Sequence, residues 1–270
     1  MGSVVTIGAY DGVHIGHRRV IAEVVETART LGLESVVVTF DRHPAIVVRP
    51  ASAPFQLTDL DQRLELLRGT GVDKVVVIEF TPDRAQRTAE EFVEEVLVGE
   101  LGARVVVVGQ DFHFGRGRSG DVALLREMGA SANFEVRPHE LVTDDTSHEI
   151  VSSTRIRRLV ARGELEEASR LLGRPYELRG VVVGEASSFS GAGEGGNGVS
   201  VAVPDGILCP PAGGYDVLTG VVGSGGVPLE KAHVVVPGHG AALALLGTTE
   251  AWPGGARVRM LFDRSASTEG

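Results

Sequence analysis

The chain has 270 residues, room for one large domain or two modest ones, and its 43% hydrophobic and 23% charged content is ordinary for a soluble globular protein. A net charge of −10 opposes broad binding to nucleic acid or to an anionic membrane, although a local cluster of Arg and His can still receive a small anionic substrate. Cys209 is the only cysteine, which excludes an intramolecular disulfide and a Cys-rich zinc site.

The first two-thirds alternate between apolar runs and helical periodicity. "VVTIG" ends in glycine, as a buried parallel strand would. Residues 16 to 31 place Val20, Ile21, Val24, Val25 and Ala28 on one helical face. "SVVVTF" is a second buried strand, "LTDLDQRLELLRGTG" a helix that stops near Gly71, and "DKVVVIEF" a third strand. Thr88 caps the next helix, with Glu91 three residues on to complete a capping box. "RVVVVG" and "FEVRP" are the fourth and fifth strands. Strands that alternate with helices predict an α/β domain with a parallel sheet, whose ligands bind at the carboxyl ends of the strands. Two helices, 153 to 162 and 164 to 172, break at Gly163. From Gly173 glycine becomes frequent, and "YELRGVVVG", "GVSVAVP", "YDVLTGVVG", "AHVVVPG" and "RVRMLFD" read as the short strands of a small antiparallel barrel. The expected domains are therefore 1–172 and 173–270. Residues 187 to 198, "SSFSGAGEGGNG", form a low-complexity loop. No apolar run reaches the ~20 residues of a membrane helix, and no basic-then-apolar leader opens the chain. The expected location is cytoplasmic, without a membrane partner.

Three clusters could carry chemistry. In "GAYDGVHIGH", His14 and His17 follow the first strand at the start of the first helix. A metal pair, a packed capping pair and a phosphate clamp are all open to them. The metal reading lacks a nearby third ligand. The phosphate reading gains from a helix N-terminus, with free N–H groups and a positive dipole end. Gly12 and Gly16 let the backbone approach a ligand there. In "SSTRIRR", hydroxyls at a helix start precede Arg155 and Arg157, which suits a polyphosphate but also an ordinary helix cap. "GQDFHFGRGRSGD" contains a formal G-x-G-x-x-G at Gly115, Gly117 and Gly120. It does not close the first strand, so the dinucleotide fingerprint is rejected. No P-loop is present. In "TFDRHP", His43 lies where a strand-end ligand would sit, although a lone histidine is more often structural.

With "TIGAYDGVHIGH", "VVVTFDRHP", "VGQDFHFGRGRSGDVALL" and "SSTRIRRLVARGELEEASRLLGRPYEL" in this order, residues 3 to 178 resemble the prokaryotic bifunctional riboflavin kinase/FAD synthetase family. The H-x-G-H step marks a wider nucleotidyltransferase superfamily, whereas the D-F-x-F-G segment and the S-S-T-R-I-R to L-G-R-P-Y run are far more specific. The resemblance implies a Rossmann-like nucleotidyltransferase domain followed by a riboflavin-kinase-like barrel. It implies an FMN adenylyltransferase, in which ATP and FMN give FAD and pyrophosphate. His14, His17 and Arg157 would be catalytic. Gly8, Tyr10, Asp11, Gly12, Ser153 and Thr154 would complete the nucleotide site. His43, Phe55, Asp111, Phe112, Phe114 and Arg118 would lie at the flavin. Mg²⁺ would travel with ATP, and no residue identifies itself as its ligand.

There are departures. Tyr10 stands where the family usually has Phe. Arg42 replaces the usual Pro and adds a cation at a strand end. In the barrel the family's P-T-A-N segment is absent, Asn197 is in other company, and neither the later catalytic glutamate nor a C-terminal helix is recognisable. The expectation is a synthetase whose kinase barrel has lost its chemistry. Two alternatives stand beside it: transfer of AMP or CMP to a flavin analogue or another phosphorylated metabolite, and a non-catalytic flavin or nucleotide binder.

Overall fold

The computed structural model describes residues 2–185, 198–223, 229–237, 242–247 and 252–262. Most of the low-complexity run, including Asn197, lies outside them. Five strands form one parallel sheet: β1 (Ser3–Ile7), β2 (Glu34–Phe40), β3 (Lys74–Ile78), β4 (Ala103–Gly109) and β5 (Glu135–His139). Their spatial order is β3-β2-β1-β4-β5. In register, Ser3 to Ile7 face Glu34 to Val38, and Val4 faces Val105 on the other side.

The period of two along these Val-rich strands splits the core into two faces. Val5, Ile7, Val36, Val38, Val106 and Val108 pack with Phe92, Val96, Leu97 and Leu125. Val4, Val105 and Val107 pack with Val24 and Ala28 of α1 (Ile15–Leu31). Helix α1 spans the expected range and stops at Gly32, whose φ of 65° supplies the left-handed cap. Short helices not announced by the sequence pattern follow β2 and β3: α2 (Pro44–Val48) and α4 (Pro82–Ala85). Between them α3 (Leu60–Arg68) is shorter than the periodicity predicts.

The Thr88 capping box forms as its S/T-x-x-E spacing requires, opening α5 (Ala89–Phe92), which runs on in π-helical turns over Val93–Glu100. Helix α6 (Val122–Ala132) is capped by Asp121, whose Oδ1 accepts the Leu124 N–H at 2.9 Å.

Two further helices, α7 (Ser153–Ala161) and α8 (Leu165–Leu172), lead into six strands that close an antiparallel barrel. They are β6 (Tyr176–Glu185), β7 (Gly198–Ala202), β8 (Gly213–Val221), β9 (Glu230–Val236), β10 (Leu243–Leu246) and β11 (Arg257–Phe262), in the cyclic order β10-β7-β6-β11-β8-β9. Five of these strands match the expected runs. β10 was not anticipated, because "LALL" is a short apolar run without alternation.

Contacts divide the chain into one unit of residues 1–54 and 60–152 and a second of 55–59 and 153–270. α7 and α8 thus group with the barrel rather than with the sheet. The Tyr176 N–H donates to Ser169 Oγ at 3.1 Å, and the Tyr176 hydroxyl donates to the Leu208 carbonyl at 2.6 Å. Residues 55–59 join the same unit through Gln56, which exchanges backbone hydrogen bonds with Gly206 and Leu208 at 2.7 and 2.8 Å.

Gly129 of α6 allows a close approach. A Cβ there would lie 2.6 Å from the Phe134 carbonyl and 3.0 Å from its ring. A mid-helix Gly→Ala change ordinarily gains about 1 kcal/mol. Here the overlap reverses the sign, and Gly129→Ala is expected to destabilise by about 1–3 kcal/mol. Urea unfolding followed by circular dichroism measures it; a stabilised variant would mean that the α6–β5 turn yields freely.

Candidate active site

The sheet changes direction between β1 and β4, and the chain leaving β1 enters the crevice at that switch point. The Gly8 N–H still donates to the Val38 carbonyl at 3.1 Å. The backbone then turns through three left-handed residues, Tyr10 (φ 49°), Gly12 (φ 81°) and Val13 (φ 39°). Such angles are costly for a β-branched residue and persist only where the surroundings fix them. Tyr10 and Val13 are buried in one cluster with Ile21, Val37 and Leu67. The Tyr10 hydroxyl bonds Thr6 Oγ1 at 2.7 Å, and the Val13 N–H donates to the Tyr10 carbonyl at 3.0 Å. Burial pushes the Tyr10 phenol far above its ordinary pKa, against the smaller opposing pull of the Thr6 bond, so it stays neutral. Asp11 is buried in the same turn.

The turn delivers His14 as the N-cap of α1. His14 is extended (φ −72°, ψ 173°), and its Nδ1 accepts the His17 N–H at 3.3 Å. The two imidazoles stack with centroids 3.5 Å apart and planes 18° apart, and the edge of Tyr10 meets His17 at 5.0 Å. His14 is 4% exposed. Because a neutral imidazole that accepts at Nδ1 carries its proton on Nε2, the cap fixes the tautomer with the proton on Nε2. Gly16 leaves room for this stack, since a Cβ there would lie 3.2 Å from the His14 ring.

Two residues that no motif singles out hold the turn in place. Arg63 of α3 is 1% exposed; its Nη1 donates to the Ala9 carbonyl at 3.2 Å and its Nη2 to the Phe40 carbonyl at 2.5 Å. Thr39 Oγ1 donates to the same Ala9 carbonyl at 3.3 Å. In sequence, Arg63 is indistinguishable from an arginine on a solvated helix face.

At the end of β2, His43 repeats the capping device: its Nδ1 accepts the Ala45 N–H at 3.1 Å and opens α2. Arg42 does not stand as an added cation. It pairs with Asp41 through Nε at 2.8 Å and Nη2 at 2.6 Å. Burial alone would raise the Asp41 carboxyl, but hydrogen bonds from Arg42 and from the Phe80 N–H outweigh it and hold the carboxyl below its ordinary range.

After β4 the expected flavin segment divides in role. Phe114 belongs to the core, 8% exposed and 5.9 Å from Phe92. Phe112 stacks on it at 5.4 Å and is the half-buried ring of the pair. Asp111 and Arg118 are exposed. Gly115, at φ 72°, passes so close to α5 that a Cβ would lie 2.6 Å from the Ala89 nitrogen. The Arg116 N–H donates to the Arg87 carbonyl at 2.8 Å, so the basic glycine loop is fastened to the capping-box turn. A cleft of 540 Å³ beside it is lined by Gln110, Phe112, His113, Asp121, Arg126 and Glu140, among others.

The remaining expected residues lie in the second unit. Ser153, Thr154 and Arg157 fall in the first turn and a half of α7, which buries Ile156, Leu159 and Val160. Arg155 is tied to Glu167 of α8 at 2.6 Å, a helix-pairing role. Phe55, 48% exposed, is in the segment that joins the barrel. Among the described residues no group of three or more His, Cys, Asp or Glu side chains converges to hold a metal ion, and no helix is long and apolar enough to cross a membrane.

A family model described as FAD synthetase matches residues 1–155. A putative bifunctional riboflavin kinase/FMN adenylyltransferase of Geobacillus thermodenitrificans is 44% identical over 174 residues, 64% of this chain and 91% of that protein. The bifunctional riboflavin kinase/FMN adenylyltransferases of Pseudomonas fluorescens and Escherichia coli K12 are 39% and 36% identical over 182 residues, 67% of this chain; it spans only 58% of their length. A crystal structure described as a macrolide-efflux protein from Streptococcus pneumoniae has a TM-score of 0.80 at 25% identity, covering 100% of this chain and 87% of that one. That likeness takes in the barrel as well as the sheet. With the capped histidine pair at the switch point and the match over residues 1–155, the chain belongs to the FAD synthetase family.

Proposed function

We propose that the protein is an FMN adenylyltransferase that makes FAD from FMN and ATP and no longer phosphorylates riboflavin. The observation that carries this reading is the His14–His17 pair, stacked and tautomer-fixed at the α1 N-terminus. Such a site suits a polyphosphate, because the positive end of the helix dipole favours negative charge there and imidazoles can donate hydrogen bonds to phosphate oxygens.

In the reaction, an oxygen of the FMN phosphate attacks the α-phosphorus of ATP. A new P–O–P bond forms, the bond to the bridging oxygen breaks, and pyrophosphate leaves. His14 and His17 donate hydrogen bonds to oxygens whose charge grows in the transition state; this kind of preorganised donor contributes about 3 kcal/mol. Arg157, Ser153 and Thr154 hold the outer phosphates, and Gly8, Tyr10, Asp11 and Gly12 shape the turn around the nucleotide. Mg²⁺ would supply charge neutralisation on the ATP phosphates and would be held mostly by substrate and water. Phe112, carried on Phe114, offers the ring face for the flavin; His43, Asp111, Arg118 and Phe55 belong to the same assignment. The pairing of Arg42 with Asp41 removes one reason for a different acceptor. The functional division remains 1–172 and 173–270, and a cytoplasmic setting, where ATP is made, belongs to the same reading.

The silent kinase rests on the missing P-T-A-N segment. Purified protein given Mg²⁺ and ATP is expected to convert FMN to FAD and to leave riboflavin unchanged when flavins are separated by chromatography. FMN or FAD formed from riboflavin would overturn the loss of kinase chemistry, and no FAD from FMN would overturn the synthetase.

His14→Ala and His17→Ala are each expected to lower kcat for FAD formation about a hundredfold or more. Steady-state kinetics measures this, and near-full activity in both variants would remove the clamp from the mechanism.

A further inference from the structure

We propose that Arg63 is a positioning residue for this reaction: its buried guanidinium fixes the Ala9–Tyr10 step and, through it, the orientation of His14 and His17. The inference rests on the functional reading above only where it speaks of turnover. Three carbonyls meet at the carboxyl ends of β1 and β2, those of Ala9, Phe40 and Asp41. Arg63 Nη1 reaches the first at 3.2 Å, and Nη2 reaches the second at 2.5 Å and the third at 3.5 Å. The last β1–β2 bond of this ladder is made by the Gly8 N–H, so the Ala9 carbonyl has left the sheet. Partly buried carbonyls outside the ladder still need donors, and a charged donor makes the stronger bond. Arg63 and Thr39 supply them to Ala9 from two different elements.

From Ala9 the constraint runs through packed groups. The next residue, Tyr10, is left-handed and 5% exposed, its hydroxyl held by Thr6. Its carbonyl accepts the Val13 N–H, which sets the turn into His14, and its ring edge sits against His17. A shift of the Ala9 carbonyl therefore moves both imidazoles. Arg63 touches no substrate in this account, and it acts through the turn.

The test compares Arg63→Met, Arg63→Lys and Thr39→Val with the unaltered chain. Each is characterised by thermal unfolding, by steady-state FAD synthesis, and by ¹⁵N NMR of histidine-labelled protein, with the His14 signals identified by their loss in His14→Gln. In the unaltered chain His14 Nδ1 should resonate as an unprotonated acceptor and Nε2 as protonated. Arg63→Met should lower kcat about 10- to 100-fold with little change in KM for FMN, and move the two His14 nitrogens toward an average of tautomers. Arg63→Lys should recover part of both effects, and Thr39→Val should show a weaker version of each. Folded Arg63→Met and Thr39→Val proteins with unchanged kcat and an unchanged His14 tautomer would overturn the proposal. If Arg63→Met does not fold, Arg63→Lys and Thr39→Val decide on the same readouts. If the unaltered chain makes no FAD, the functional reading falls, and the His14 tautomer in the variants alone upholds or overturns the positioning role.

Discussion

The hydrogen bond from the His17 N–H to His14 Nδ1 is the constraint around which the site is built. It satisfies one of the otherwise open N–H groups of α1, fixes the proton of His14 on Nε2, and stacks the two rings. It is available only because the chain leaves β1 through a turn that most sequences would avoid. Tyr10 and Val13 adopt left-handed angles, and the energy that holds them there comes from burial with Ile21, Val37 and Leu67. The doubly wound sheet thus does more than carry the loop: its packing imposes the loop's conformation.

The same logic recurs one strand over. His43 caps α2 with its Nδ1 as His14 caps α1, and Asp41, held ionised by Arg42 and the Phe80 N–H, ties the end of β2 to the end of β3. Adjacent strand ends are locked by side-chain-to-backbone bonds, and Arg63 joins the first two from within. A rigid rim of this kind suits chemistry in which the protein mainly positions reactants and stabilises charge.

Much of this was legible in the sequence, and the reason differs by element. Four of the five parallel strands announced themselves as Val-rich runs between helical periods, and the Thr88–Glu91 spacing produced its capping box. The histidine pair was legible as a candidate site because of where it falls after β1. Its capping role was not, since histidine is not a favoured N-cap residue. Arg63 was invisible because one arginine in an amphipathic helix looks the same whether it is solvated or reaches strand-end carbonyls. Phe112 and Phe114 look equivalent in D-F-x-F-G; only the fold shows that one is core and the other borders the cleft. In the barrel, β10 lacks an alternating pattern. The helices at 153–172 pack with the barrel although their motif belongs to the nucleotidyltransferase run, because motif continuity follows chemistry and unit boundaries follow contacts.

The central claim is that the flavin receives the α-phosphorus of ATP. ATP labelled with ³²P at the α position, and in a parallel reaction at the γ position, would be incubated with FMN, Mg²⁺ and the protein. The account predicts that the α label appears in a flavin product that migrates as FAD, while the γ label leaves as pyrophosphate. A flavin product carrying the γ label, or pyrophosphate release without α label in any flavin, would contradict it.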